Sequence, residues 1–149
     1  PAEEMEKAFQ RSRTRVTNVY GARPDDFDQA CKRVDQMERT GQLKSASLVA
    51  LLREGKASRT AFTLALARVA DMEPHLVERV GEGHDIDTRA RLCRGAGVDR
   101  AAFTTMAIAL DSDPNRAMAG ATDFMKLYES VPVAAAQRAL RFWKVRAAA

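Results

Sequence analysis

The chain is poor in the residues that carry most site chemistry: 2 Cys and 2 His in 149 residues, with aromatics at 6%. Cys31 and Cys93 stand 62 positions apart, outside any CxxC pair and with no histidine at ligand spacing, which argues against a zinc motif and a disulfide framework. Both read as core thiols of a reducing, cytoplasmic compartment. No apolar run approaches the roughly 18 to 20 residues needed to cross a bilayer, and no charged-then-apolar signal segment opens the chain, so membrane insertion is not expected. Nucleotide loops are missing as well. Gly81-Glu82-Gly83 has neither the preceding strand nor the GxGxxG spacing, and there is no GxxxxGK[ST] or G-x-S-x-G.

The two histidines fall short of the sites they suggest. His84-Asp85 matches a metal-binding dipeptide of HD-type phosphohydrolases, but such a centre needs more histidines and a second aspartate, and only His75 remains. His75-Leu76-Val77-Glu78-Arg79 lacks the small neighbour a phosphoacceptor helix places beside its histidine. Catalytic, metal and cofactor-binding residues are therefore expected to be absent, and the chain is read as a non-enzyme.

What the chain has in plenty is alanine and arginine, 27 and 18 residues, against 2 isoleucines. Ala and Arg are strong helix formers. An all-α domain is the expectation, and 149 residues form one domain with a hydrophobic core of its own. The chain opens Pro1-Ala2 without methionine, which points to a piece of a longer protein. Glycine, proline and capping residues divide it into about nine helical segments. The first spans about residues 2 to 20, and the second follows Pro24 to Gly41 with Phe27, Ala30, Cys31, Val34 and Met37 as its stripe. Ser45 or Ser47, then Ser58, Asp85 or Asp87, and Asp99 stand at expected helix starts, while Gly81, Gly83 and Asp85 mark a loop. One helix after Pro114 carries Met118, Ala121, Met125 and Tyr128, and the last, after Pro132, repeats those offsets with Val133, Ala136, Leu140 and Trp143. The matching stripes predict that these two terminal helices pack on each other.

The strongest pattern is internal. Laid over residues 92 to 104 at an offset of 41, residues 51 to 63 bring Leu51 onto Leu92, Arg53 onto Arg94, Arg59 onto Arg100, Ala61 onto Ala102, Phe62 onto Phe103 and Thr63 onto Thr104, with Ser58 on Asp99 at the cap. Each copy reads as a helix end, a turn, a cap and a new helix with an aromatic anchor. The period falls in the roughly 40 to 47 residue range of HEAT and armadillo-type repeats.

The stretches Leu48-Val49-Ala50-Leu51-Leu52-Arg53-Glu54-Gly55, Ala61-Phe62-Thr63-Leu64-Ala65-Leu66-Ala67 and Leu92-Cys93-Arg94-Gly95-Ala96-Gly97-Val98 resemble the bacterial family catalogued as domain of unknown function 2336, found mainly in α-proteobacteria. The resemblance covers roughly residues 30 to 112 and implies a HEAT-like α-helical fold with no established activity. Gly95 departs from it, since the family often has Ala there, and a looser turn is expected at that point.

Charge supplies the candidate surfaces. The net charge is +4, and its excess lies in residues 113 to 149, with six basic groups against three acidic. Arg138, Arg141, Lys144 and Arg146 of the last helix meet no acidic residue after Val131; the helix dipole accounts for cations there, and with Phe142 and Trp143 they also make a possible nucleic-acid surface. Trp143 itself is read as a core anchor. Arg11, Arg13 and Arg15 alternate and make a poor stripe. Arg53, Arg59, Arg94 and Arg100 occupy equivalent repeat positions and are expected to line one ridge. The resulting expectation is a non-catalytic protein-binding or scaffold module, placed within bacterial signalling, whose alternative is nucleic-acid association through the basic last helix. No cofactor is implied.

Overall fold

Several helix starts in this protein are closed by a side chain, and helix ends by backbone turns. In the computed structural model residues 25–82 and 85–148 are described, and among them every regular element is a helix. The order is α1 (Phe27–Arg39), α2 (Ser45–Arg53), a 3-10 turn (Lys56–Ser58), α3 (Arg59–Ala70), α4 (Pro74–Glu82), α5 (Ile86–Ala96), α6 (Arg100–Ala109), α7 (Pro114–Met118), α8 (Ala121–Ser130) and α9 (Val133–Ala148). The expected first helix, residues 2 to 20, and Arg11, Arg13 and Arg15 lie outside the described residues, as does His84.

Three aspartates act as N-caps, each side chain accepting from a backbone N–H of the first turn: Asp85 from Asp87, Asp99 from Ala102 at 2.8 Å, and Asp113 from Arg116. Pro114 follows at the first helical position, where its missing N–H costs nothing. Gly97 ends α5 at φ +79°, with the Val98 N–H bonded back to the Cys93 carbonyl at 2.9 Å. The Asp99→Ala variant is expected to lose about 1 kcal/mol of unfolding free energy. Chemical denaturation measures it, and a change within a few tenths would mean the cap contributes nothing.

The serine caps are corrected. Ser58 sits at the N-cap of α3 without a capping bond, because its hydroxyl donates to Glu54 (3.0 Å) and accepts from Arg33 (3.2 Å). Lys44, not a serine, stands before α2, and the Ser45 hydroxyl instead accepts from the Asp99 N–H at 3.0 Å. Gly81 belongs to α4 rather than to a loop.

Packing places α3 and α6 at the centre. Helix α3 contacts α1, α2, α4 and α5, and α6 contacts α2, α5, α7 and α8. Hence α3 is buried around most of its circumference, at Ala61, Phe62, Leu64, Ala65, Leu66, Ala67 and Ala70, rather than along the single stripe a surface helix shows. Its alanines let four neighbours approach. The α1 stripe holds: Ala30 and Val34 are buried, while Phe27, Cys31 and Met37 are half-buried against the same core. Arg68 ties α3 to Asp35 (2.6 Å) and Glu38 of α1, and Arg33 ties α1 to Glu54. These pairs are exposed, so solvent screens them and they add little to stability.

The expected helix after Pro114 is two helices. Gly120 starts α8 as its N-cap, and the break rotates Met118 out of the stripe to 62% exposure while Tyr128 stays buried. The two terminal helices do not take each other as principal partner: α9 lies along α5, and α8 lies against α6. Gly95 allows the first contact. A Cβ on it would stand 2.6 Å from Leu140 Cδ1 and 2.8 Å from the Ala136 carbonyl oxygen. The turn is therefore not loosened at Gly95; the missing side chain is the space into which α9 descends.

The overlaid segments share several environments. Phe62 and Phe103 lie in one core cluster, Leu51 and Leu92 are both buried, and Thr63 and Thr104 each donate to the carbonyl four residues back, that of Arg59 and of Arg100. Their turns differ. The first copy passes through Gly55 (φ +86°) into a 3-10 turn, and the second goes directly to the Asp99 cap.

Candidate functional site

The first two turns of α3 put Arg59, Phe62, Thr63 and Leu66 on one line of the helix, at offsets 0, 3, 4 and 7. That line forms one wall of a cavity of about 700 Å³. Val77 and Glu78 of α4, Ile86, Arg89 and Leu92 of α5, Met106 and Leu110 of α6, Asp111, and Phe124 of α8 complete the lining. The interior thus combines aliphatic and aromatic side chains with a polar share nearly as large, including two guanidinium and two carboxylate groups. The volume falls within the roughly 300–1,000 Å³ range of small-molecule sites.

The polar groups have different environments. Arg59 Nε is buried and has no hydrogen-bond partner. Arg89 is the more desolvated cation. Burial pushes its pKa down, opposed by the Cys93 thiol and the Asp111 carboxylate nearby. Asp111 accepts from the Asp113 N–H at 2.8 Å. His75 Nδ1 is likewise buried without a partner but is not part of the cavity lining.

The four arginines expected along one ridge are distributed differently. Arg53 is exposed at the end of α2, and Arg59 lines the cavity. Arg94 lies with its guanidinium 4.7 Å from the Tyr128 ring centre and donates through Nε to the Val131 carbonyl at 3.2 Å. Arg100 forms an ion pair with Glu129. Arg94 and Arg100 therefore both engage the end of α8. Tyr128 completes that junction by stacking on Phe103 (5.7 Å between centres) and donating its hydroxyl to the Val98 carbonyl at 2.6 Å.

The basic residues of α9 divide by face. Trp143 packs against the core together with Ala136 and Leu140, as an anchor. Lys144, on the flank, reaches Asp71 at 4.0 Å. Arg138, Arg141 and Arg146 are exposed, and between them Phe142 and Val145 are 56% and 69% exposed, with Val133 also outward. The Arg146 guanidinium covers one face of the Phe142 ring at 5.7 Å.

Cys93 is fully buried, donates weakly to the Met106 sulfur at 3.8 Å, and has its pKa pushed up to about 12 by burial. Cys31 is half-buried, and it is not joined to Cys93 in a disulfide. Among the described residues no cluster of three or more His, Cys, Asp or Glu side chains has metal-binding geometry, and no helix is long and apolar enough to cross a membrane.

Of the charged cavity groups, sequence reasoning proposed only Arg59 as a binding residue. The signal for Arg89 is its position: around α5 it falls between Leu92 and Cys93, so a cation sits in an otherwise apolar stripe.

A family profile for uncharacterised proteins conserved in bacteria (DUF2336) matches residues 1–141. The chain belongs to this family. The DUF2336 match takes in every cavity-lining residue and ends at Arg141, inside α9. No curated protein and no solved structure matches the chain.

Proposed function

We propose that the domain is a non-catalytic protein-recognition module whose contact surface is the outer face of α9, and that it takes an acidic, partly apolar segment of a partner protein. The observation that carries this reading is the composition of that face. Arginines 138, 141 and 146 surround two large exposed apolar side chains, Phe142 and Val145, on a helix without a single acidic residue. Scattered exposed apolar residues are ordinary, but an aromatic grouped with arginines is the composition of interface hot spots. The paired helices α2/α3 and α5/α6, read as two units of a HEAT-like stack, supply a rigid support for such a face. A cytoplasmic place in a bacterial signalling pathway fits two cysteines that are not joined in a disulfide.

Nucleic-acid association is the second reading, supported by the same arginines and by Phe142 as a stacking platform. Arg146 already covers one side of that ring, and Val145 offers nothing to a base, so the protein reading is preferred.

Affinity capture with the intact chain followed by titration of the purified partner tests the choice. Replacing Arg138, Arg141 and Arg146 together by Glu is expected to weaken binding at least about tenfold, and Phe142→Ala to cost about 1–2 kcal/mol of binding energy. Unchanged affinity in both variants would remove this surface. Binding to duplex DNA or single-stranded RNA that falls steeply with salt would instead establish the second reading.

A further inference from the structure

We infer that the cavity between α3, α4, α5 and α6 is a binding site for a small-molecule monocarboxylate with an apolar body. This inference is independent of the α9 surface, which lies outside the lining.

The unpartnered donor comes first. Arg59 belongs to the cavity wall, and its Nε–H is enclosed by the protein with no acceptor, an arrangement that costs free energy. A ligand acceptor that meets it through a turn of the Arg59 side chain toward the cavity relieves that cost. Geometry then selects the acceptor, because the planar guanidinium fork matches a carboxylate through two parallel N–H to O bonds. Charge limits it. Glu78 and Asp111 share the lining with Arg59 and Arg89, so its charges balance, and one added negative charge disturbs that balance less than the two of a phosphate monoester. One negative charge at Arg59 is the better match.

The remaining surface specifies the body of the ligand. Phe62, Leu66, Ile86, Met106 and Phe124 offer two rings and flexible aliphatic contacts, which suit an alkyl chain or an aromatic ring rather than a sugar. Thr63 adds one hydroxyl, already donating to the Arg59 carbonyl at 3.2 Å.

The test uses the intact chain with octanoate and 4-phenylbutanoate as probes, beside octanamide and octyl phosphate, followed by calorimetry and by NMR of the methionine and leucine methyl groups. The expected result is saturable binding of the carboxylates, with Met106 and Leu66 methyl shifts, and affinity at least tenfold weaker for octanamide and for octyl phosphate. Arg59→Leu is expected to abolish carboxylate selectivity over the amide, and Thr63→Phe to block all probes by filling space. Absence of carboxylate binding at millimolar concentration, shifts confined to residues outside the cavity, or equal affinity for amide and acid overturns the inference. The wild-type NMR measurement decides the matter even where a variant fails to fold.

Discussion

Phe103→Ala is expected to cost about 3–5 kcal/mol of unfolding free energy, the range for removing a fully buried ring from a packed core. Phe103 is 0% exposed at the centre of α6 and stacks on Tyr128 with ring centres 5.7 Å apart and planes at 28°. Its loss leaves a void that α2, α5, α7 and α8 cannot fill without moving, and it removes the support on which Arg94 and the Val98 carbonyl meet Tyr128. The equivalent substitution, Phe62→Ala, is expected to cost less. Phe62 is 3% exposed, yet one side of it faces the cavity, so fewer contacts are lost. Urea denaturation of both variants measures the difference. A Phe62 loss equal to or larger than the Phe103 loss would contradict the packing described.

The second large effect concerns Gly95. In an unencumbered helix a glycine to alanine change stabilises by up to about 1 kcal/mol. Here Gly95→Ala is expected to destabilise by about 1–3 kcal/mol, the range for overpacking a closed contact. Leu140 can rotate away from the new methyl group at 2.6 Å, but the Ala136 carbonyl at 2.8 Å belongs to the backbone of α9 and moves only with the helix. Denaturation midpoints of the variant and the wild type settle the sign. A stabilised Gly95→Ala would mean that α9 does not approach α5 so closely.

Much of the architecture was legible because its signals are local. A carboxylate such as Asp99 closes its own helix turn, and the recurrence of Phe27, Ala30, Cys31, Val34 and Met37 identifies one buried face whatever lies opposite. Pairing is a different kind of information. Similar stripes on α8 and α9 showed that each helix is covered on one side, but the partners, α6 and α5, depend on the path of the chain through α7 and on the space left by Gly95. Met118 was misplaced for a related reason, since Gly120 interrupts the helical phase and offsets counted across it lose their meaning. Ser58 failed as a cap because Arg33 and Glu54, distant in sequence, compete for its hydroxyl.

The cavity was hidden on the same principle. Arg59 entered the reading through its match with Arg100, yet the two occupy unlike surroundings, one in the cavity wall and the other paired with Glu129 at the surface. Only the convergence of four helices separates them. Arg89, a cation in an apolar stripe, was the one local hint that polar groups meet an interior space.

Trp143 is the chain's single tryptophan, and it sits half-buried on the inner side of the last helix. Its emission colour follows the wetness of that one seam. The molecule thus carries an intrinsic optical gauge: peeling of the C-terminal helix shifts the spectrum to the red before circular dichroism registers loss of the remaining helices, and the two signals resolve local fraying from cooperative melting.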